Sequence, residues 1–359
     1  MFCIAAFIVL CFCAIFSGRY RQMARKAWHC VLRRVTFRPC DINFSEEVKG
    51  KLMGRMILTH PGFARFTDRW IDTFAWLFVG ASLWSLAMVA VAGLNLMIYD
   101  TCNPQHAENC ALGGEACSVA SYTPGFWESL VHGRPHQWFM DQGQQFGTTV
   151  RLIPARFQTW TPDEYVSQKN SWFEPFDPAK PRALEIIDPG CSACAHLFAN
   201  VRAAGFEKRY NVTYIAYPIP DKTSWSGYKF MNSHLIASYL AAMKQLPPGH
   251  SHSRTPADWL LLDRIYTGVN HEGMKWQELM NLRLDPDQAR AAIHRFAGEF
   301  GYSEAQIGQL DQLAGSPEVR AQLAADKRTV EEKIHTVKIP TILFGGRRYD
   351  RVLNVHQLR

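Results

Sequence analysis

The chain has 359 residues, of which 47% are hydrophobic, and a formal net charge of +7. Its length alone would fit two or three soluble domains, but two long apolar segments without charge exclude a wholly soluble protein. Each segment can cross about 30 Å of hydrocarbon as an α-helix. We therefore predict two transmembrane helices, at residues 1–18 and 73–99.

The positive charge is concentrated between these two segments. Residues 19–72 contain 12 Lys and Arg against 5 Asp and Glu, a surplus of seven that accounts for the whole net charge. By the positive-inside rule, residues 19–72 form a cytoplasmic loop, and the chain after residue 99 lies outside the cytoplasm. We expect a two-pass protein of the inner membrane, in contact with the lipid bilayer. Because membrane topology explains the charge, we expect no nucleic-acid partner.

The first apolar segment could instead be a cleaved signal peptide. Signal peptides carry basic residues before their apolar core, whereas here Arg19, Arg21, Arg25 and Lys26 follow it. We therefore expect an uncleaved anchor. Cleavage would reverse the topology and place the C-terminal region in the cytosol.

Ten cysteines divide into three groups under this topology. Those of the first span and the loop are expected to be small buried hydrophobes or reduced thiols: Cys3, Cys11, Cys13, Cys30 and Cys40. The others face an oxidising compartment: Cys102, Cys110, Cys117, Cys191 and Cys194. Among the first three of these we expect one local disulfide and one unpaired cysteine, and their spacing does not say which two pair.

Residues 118–181 are rich in Trp, Gln and Pro with weak periodicity, and we predict that residues 100–181 form a partly ordered extracytoplasmic connector. The pattern then changes. The apolar run at 183–187 predicts a buried strand, Asp188-Pro-Gly ends it, and Cys191-Ser-Ala-Cys194 opens a helical stretch that continues to residue 210.

A cysteine at the start of a helix meets unpaired backbone N–H groups, which stabilise its thiolate. In such motifs the thiol pKa falls from about 8.5 to roughly 3.5–7.5. We therefore predict that Cys191 is an accessible nucleophile and that Cys194, one turn deeper, is a buried resolving thiol. The pair could also be half of a zinc site, but no second pair has the required spacing, and His196 is expected to point away from both sulfurs. We expect no metal.

A second strand is predicted over 211–219, and the following block reads as helical from about 225 to 335. Its predicted helices cover residues 228–244, 256–267, 286–300 and 316–335. A last strand covers 336–346, with Pro340 near its start, and residues 347–353 can return as a hairpin.

The Cys-x-x-Cys motif after a strand, together with Ile339-Pro340-Thr341 opening a later strand, resembles the thioredoxin fold. The helical insertion between the second and last strands resembles DsbA-like disulfide oxidoreductases. The predicted fold is thus an α/β thioredoxin-like domain at 182–359 with a helical insertion, preceded by two transmembrane helices. The family fold normally closes with a helix, for which residues 354–359 supply barely one turn, so a truncated chain or an exposed sheet face is expected.

The resemblance also implies a site. It places a cis Pro340 beside the cysteines and lets the backbone of Ile339 bind an extended substrate segment, next to Ser192 and Ala193 of the motif. It implies a buried acid six residues before the first cysteine, which here is Glu185.

Glu185 would carry the proton of Cys194 during resolution. Its alternative role is a salt bridge to a cation such as Lys338.

The sequence therefore predicts a membrane-anchored thiol:disulfide oxidoreductase that needs no cofactor and acts on exported protein thiols or disulfides with a redox partner. Ser192-Ala193 differs from the Gly-Pro of thioredoxins and the Pro-His of strong oxidants, so oxidation, reduction and isomerisation all stay open. Two alternatives remain: an extracytoplasmic copper or other metal chaperone, and a non-catalytic assembly factor that uses the fold to bind peptides.

Overall fold

The computed structural model describes Arg25, Trp28, His29, Gly50 and residues 61–359, except 105, 106, 108, 109, 111, 120–123, 167–169, 251 and 252. The transmembrane helix predicted at 1–18, most of the predicted loop at 19–72 and the five cysteines before residue 61 lie outside the described residues.

Helix α1 covers Pro61–Tyr99 and contains the second predicted span. Its segment Trp76–Tyr99 has a mean hydropathy of 2.0 and is, among the described residues, the one helix long and apolar enough to cross a membrane. The helix begins before the predicted boundary at residue 73. Pro61 suits a first helical position, since its missing N–H would have no partner there, and no proline interrupts the turns that follow.

The described residues divide after Ala90 into two compact units, of which the second is Val91–Arg359. Beyond the end of α1, this unit contains the following α-helices and strands: β1 Cys117–Ser118, α2 Phe126–Val131, α3 Pro135–Arg151, α4 Ile153–Phe157, β2 Arg182–Ile187, α5 Ser192–Ala203, β3 Asn211–Ala216, α6 Ser233–Gln245, α7 Ala257–Thr267, α8 Trp276–Leu282, α9 Pro286–Glu299, α10 Glu304–Ala314, α11 Pro317–Arg328, β4 Lys338–Ile339, β5 Thr341–Phe344 and β6 Arg347–Tyr349.

The central sheet has four strands in the order β3-β2-β5-β6. Strands β2 and β3 are parallel and joined by α5, whereas β5 and β6 follow as an antiparallel hairpin beside β2. β2 lies between β3 and β5, and all of its residues after Arg182 are buried, so both of its faces are covered. Burial on both faces is why it reads as a nearly continuous apolar run. The predicted thioredoxin-like α/β fold is confirmed, with Cys191 directly before α5.

The predicted helical insertion is also present, as helices α6 to α11 between β3 and β4. The Ser316 side chain caps α11 by accepting a bond from the N–H of Val319 at 3.2 Å, as the sequence indicates. The predicted helices omit α8 and α10. α8 has only seven residues, too few for a clear period, whereas α10 carries a Ser303/Gln306 capping box that marks a helix start.

The predicted connector at 100–181 is more ordered than expected, since α2, α3 and α4 occupy much of it. It also joins the core of the unit Val91–Arg359: Trp160 is 3% exposed, and its N–H donates to the carbonyl of Gly346 at 3.0 Å. The compact unit therefore begins well before residue 182.

A second, two-stranded sheet pairs β1 of the connector with β4 in antiparallel fashion. The predicted strand at 336–346 is split at Pro340 into β4 and β5, because proline has no N–H for a ladder bond. β4 thus pairs with β1, while β5 belongs to the central sheet.

The chain after β6 has no helix through Arg359. Leu353 and Leu358 are nevertheless buried in the core, at 0% and 1% exposure.

Candidate active site

The two motif cysteines occupy the first turn of α5. Cys191 is the N-cap residue in extended conformation, and its N–H donates to the carbonyl of Asp188 at 2.9 Å. Cys194 lies one turn further, is 0% exposed and is the free cysteine among the described residues. The prediction of a buried Cys194 is confirmed.

The approach to this turn requires glycine. A Cβ added to Gly190 would lie 2.4 Å from Cβ of Phe230, so no larger residue fits without movement. The loop between β2 and α5 therefore presses closely against the residues after β3, and this packing holds Cys191 at the helix start.

We call the surroundings of Cys191 the outer side of the site, comprising Cys117, Cys191, Ile339 and Pro340. Cys191 is disulfide-bonded to Cys117, with the two Cα atoms 6.7 Å apart, and is 0% exposed. The predicted accessibility of Cys191 is therefore wrong for this state, because another segment of the same chain covers the sulfur. Its lowered thiol pKa stays a prediction.

Ile339 and Pro340 lie where the resemblance implies. The Ile339–Pro340 peptide bond is cis, and the carbonyl oxygen of Ile339 is 4.0 Å from the Cys191 sulfur. Cys117 is the register partner of Ile339 in the β1–β4 pair. The outer side thus joins a redox motif to a strand edge that is already paired.

The two residues between the motif cysteines differ in exposure. Ser192 is exposed, whereas Ala193 is only 2% exposed. Ser192 can therefore meet a bound partner, while Ala193 packs inward in this state.

We call the surroundings of Cys194 the inner side, comprising Cys194, Glu185, Asp188 and Tyr266. Burial raises the pKa of the Cys194 thiol well above its ordinary value, and the negative charges of Asp188 and Glu185 act in the same direction. The Tyr266 hydroxyl also lies beside this thiol. Deprotonation of Cys194 therefore needs a proton acceptor nearby.

Glu185 lies in the middle of the central sheet and is 1% exposed. Burial raises the pKa of its carboxyl to about 8, and its Oε1 has no hydrogen-bond partner within the described part of the chain. The alternative salt bridge to Lys338 is not formed. The ammonium of Lys338 instead donates to the carbonyl of Asp100 at 2.9 Å, and burial lowers the pKa of this lysine to about 8.

Asp188 is a second buried carboxyl beside Cys194. Burial raises its pKa to about 7, although its oxygens accept bonds from the N–H groups of Ile219 at 2.7 Å and Gly190 at 2.8 Å. The Tyr266 hydroxyl donates to the backbone carbonyl of Asp188 at 2.8 Å. Asp188 thus ties together the ends of β2 and β3 and the start of α5.

Three residues of the site escape the sequence reasoning. Cys117 is 74 residues from Cys191, and its only signal is being the odd cysteine of the connector. Asp188 had a signal, since it precedes Cys191 by three residues, but it reads as a strand breaker. Tyr266 gives no signal, because the helix that carries it reaches the site only through tertiary packing.

The connector cysteines also form a local disulfide, Cys102–Cys110, which agrees with the expectation of one such pair. The expectation of one unpaired cysteine is wrong, because Cys117 is bonded to Cys191. The Nδ1 of His196 lies 2.7 Å from a carboxylate oxygen of Glu115. Within the described ranges, no group of three or more His, Cys, Asp or Glu side chains is arranged to hold a metal ion.

No protein-family model matches the chain, and no curated protein matches it. Solved structures do. A thioredoxin-like oxidoreductase from Silicibacter pomeroyi is 17% identical over 54% of this chain and 89% of that chain, with a TM-score of 0.37. Wolbachia pipientis alpha-DsbA1 is 10% identical over 54% and 88%, with a TM-score of 0.39. MdbA, a thiol-disulfide oxidoreductase from Corynebacterium diphtheriae, is 15% identical over 56% and 93%, with a TM-score of 0.38. Sequence identities and TM-scores this low do not assign a function to the chain, so its function has to be inferred from the geometry of the site.

Proposed function

We propose that this chain is a membrane-anchored thiol:disulfide oxidoreductase whose catalytic domain lies outside the cytoplasm and acts on exported proteins. One observation carries the proposal. The Cys191 sulfur is bonded to a cysteine of an extended segment that pairs with the strand edge ending at Pro340, and the free Cys194 lies one helical turn below. This is the arrangement that thiol exchange with a peptide requires.

In the reductive direction, the Cys191 thiolate attacks one sulfur of a substrate disulfide. A mixed disulfide forms, and the other substrate sulfur leaves as a thiolate that takes a proton from water. The N–H groups of the first turn of α5 favour the Cys191 thiolate before this attack. The backbone of Ile339 pairs with the substrate segment and aligns its sulfur.

Resolution uses the inner side. Cys194 gives its proton to the Glu185 carboxylate and attacks the Cys191 sulfur, which forms the Cys191–Cys194 disulfide and releases the substrate thiol. Two electrons have then passed from the dithiol to the substrate. A redox partner restores the dithiol, and the reverse sequence oxidises a substrate, so the reduction potential decides the direction in the cell.

The test is exchange by the full-length protein in detergent micelles. A peptide with one disulfide between a fluorophore and its quencher is mixed with reduced protein, and the fluorescence increase is followed. We expect stoichiometric reduction of the peptide disulfide, which is lost in the Cys191→Ser/Cys194→Ser double variant. Exchange at the rate of this double variant, together with stoichiometric copper on the purified protein, would favour the metal chaperone.

The proposed topology needs its own measurement. Reporter fusions near Asn43 and near Cys191 should report the cytoplasmic and the extracytoplasmic side, respectively, because the basic surplus lies between the two apolar segments. A cytoplasmic signal near Cys191 would contradict the assignment to exported substrates.

A further inference from the structure

The segment around Cys117 occupies the place of a substrate. β1 adds to β4 as an antiparallel strand, with Cys117 opposite Ile339 and Ser118 opposite Lys338. The N–H of Val119 continues the pairing by donating to the carbonyl of Val337 at 2.9 Å. Strand addition through main-chain bonds is how an extended peptide binds an open sheet edge. An exogenous peptide cannot use this edge of β4 while β1 is paired with it.

Contacts outside the ladder hold this segment in place. The Ser118 hydroxyl donates to the carbonyl of Pro104 at 2.6 Å, and the ammonium of Lys229 donates to the carbonyl of Ser118 at 3.2 Å. Glu115 lies 2.7 Å from His196 on α5, and its carbonyl accepts a bond from the N–H of Val352 at 3.0 Å. The connector, the helical insertion, α5 and the residues after β6 all contribute to a dedicated binding site for residues 113–119.

The two disulfides of the connector differ in what lies beside them. Cys102–Cys110 closes a short local loop. Cys117–Cys191 instead includes the first cysteine of a Cys-x-x-Cys motif, and the second cysteine of that motif is left as a free thiol one turn away. A purely structural bridge would not need a free thiol in the position from which the bridge can be attacked.

We propose that Cys117 is a third redox-active cysteine, carried on a tethered segment that resembles a bound substrate. Cys117 and Cys194 alternate as the disulfide partner of Cys191. This inference rests on the proposed function. In the exchange, the Cys194 thiolate attacks the Cys191 sulfur, the Cys191–Cys117 bond breaks, and the Cys191–Cys194 bond forms. Cys117 leaves as a thiolate and takes up the proton that Cys194 gave up. The step is an isomerisation, so it consumes no oxidant or reductant.

The disulfide partner of Cys191 decides whether a substrate can reach the site. With Cys117 on Cys191, the nucleophile is covered and the edge of β4 is occupied. With Cys191 bonded to Cys194, Cys117 is a thiol and residues 113–119 can leave the edge for a substrate. A tethered segment acts at an effective concentration of about millimolar, so a peptide at micromolar concentration competes poorly until Cys117 is removed.

The first experiment maps disulfides in the full-length protein in micelles. The protein is equilibrated in glutathione buffers of stepped potential, quenched with acid, alkylated, digested and analysed by mass spectrometry. We expect both Cys117–Cys191 and Cys191–Cys194 peptides wherever one disulfide forms among the three cysteines, in a ratio that does not change with the potential because the two forms are isomers. In Cys194→Ser we expect only the Cys117–Cys191 peptide. A Cys117–Cys191 bond that never exchanges with Cys194 would make Cys117 a structural cysteine and overturn the proposal.

The second experiment measures the oxidation of a peptide dithiol at micromolar concentration, followed as the loss of its free thiols, with each protein first oxidised. We expect Cys117→Ser to react at least about tenfold faster than wild type, given the effective concentration of the tether. The matched control is Cys102→Ser/Cys110→Ser, which also removes connector cysteines and should react at the wild-type rate. Equal rates for Cys117→Ser and wild type would overturn the proposal.

A third variant keeps every cysteine. Val119→Pro removes the N–H that bonds to Val337, whereas Val119→Ala retains it. We expect Val119→Pro to shift the ratio toward Cys191–Cys194 by several fold and Val119→Ala to leave it unchanged. The same ratio in both variants would contradict a binding role for the β1–β4 ladder.

The outcomes separate this inference from the proposed function. If wild type exchanges with the peptide while Cys117 remains freely alkylated in every buffer, the proposed function stands and the role of Cys117 fails. In the opposite case, Cys117 and Cys194 interchange as partners of Cys191, but neither wild type nor Cys117→Ser reacts with the peptide faster than Cys191→Ser/Cys194→Ser. The exchange within the chain then stands, and the proposed function fails.

Discussion

On the outer side of the site, Cys191 meets backbone groups and a second cysteine, whereas on the inner side Cys194 is surrounded by titratable side chains. The outer side is assembled from β1, α5 and β4, and in our proposal another extended segment can take the place of β1. The inner side is fixed within the core, where Glu185, Asp188 and Tyr266 cannot leave. The proposed function thus assigns partner binding to the surroundings of Cys191 and proton transfer to the surroundings of Cys194.

The largest effect should come from removing the outer sulfur. Cys191→Ala takes away the nucleophile, so exchange with the quenched peptide should fall to the uncatalysed background, and alkylation should find Cys117 as a free thiol. In Cys194→Ala the first attack remains, and a long-lived mixed disulfide with the peptide should accumulate once Cys117 is also replaced by Ser.

These variants test whether the two sulfurs have separate roles. Equal loss of the first attack in Cys191→Ala and in Cys117→Ser/Cys194→Ala would mean that the two sulfurs do not have separate roles.

The next largest effect concerns the proton of Cys194. Glu185→Gln keeps the shape of the side chain but cannot accept a proton, so resolution should slow by about 100-fold, the lower range for general acid–base catalysis. The first attack by Cys191 should hardly change. Rapid-quench kinetics separates the two steps, and resolution in the variant should gain more from a rise in pH than in wild type.

The control for this variant is Glu299→Gln, which replaces a half-exposed carboxylate paired with Arg264 at 2.8 Å and should affect neither step. If Glu185→Gln slows both steps equally, or neither, Glu185 is not the proton acceptor.

The titration of the buried carboxyls on the inner side should also make the stability of the protein fall as the pH rises. The pKa of Glu185 is raised from 4.5 to about 8, so its contribution to stability is fully present below pH 4.5 and is lost as the pH rises to 8. Asp188 acts in the same direction between pH 3.8 and 7. The loss from Glu185 alone is at most about 5 kcal/mol.

Thermal unfolding of the full-length protein in micelles should therefore give a melting temperature that falls from pH 5 to pH 8. Glu185→Gln should flatten this dependence. Lys338 opposes the trend only at higher pH, because its lowered pKa makes stability increase from pH 8 to 10.5. The same slope in Glu185→Gln as in wild type would show that Glu185 does not titrate in this range.

The smallest effect should come from the ion pair between Glu115 and His196 on the outer side. Both side chains are about half exposed, at 51% and 50%, and such pairs contribute roughly 0.2–1 kcal/mol. Glu115→Gln should therefore shift the ratio of Cys117–Cys191 to Cys191–Cys194 by less than about fivefold. A shift as large as that of Val119→Pro would mean that the ion pair, rather than the strand pairing, holds the segment.

Local patterns along the chain sufficed for much of the fold. The apolar run before Cys191 predicted β2, helical periodicity predicted most helices of the insertion, and Ile339-Pro340-Thr341 predicted a strand with proline near its start, which the structure splits in two. Each of these features is specified within a few residues, by side-chain period, by caps or by a missing N–H. The burial of Cys194 followed for the same reason, since its position one turn after Cys191 turns it inward.

By itself, the sequence also determined that Glu185 lies in a buried strand, but not whether Lys338 pairs with it. Tertiary structure alone decided that Lys338 bonds to Asp100 and that Tyr266 reaches Cys194, because these partners are far apart along the chain. It likewise decided the partner of Cys117. A disulfide depends on the distance between two Cα atoms in the folded chain, and β1 lies beside Cys191 because it pairs with β4, a strand that is distant along the chain.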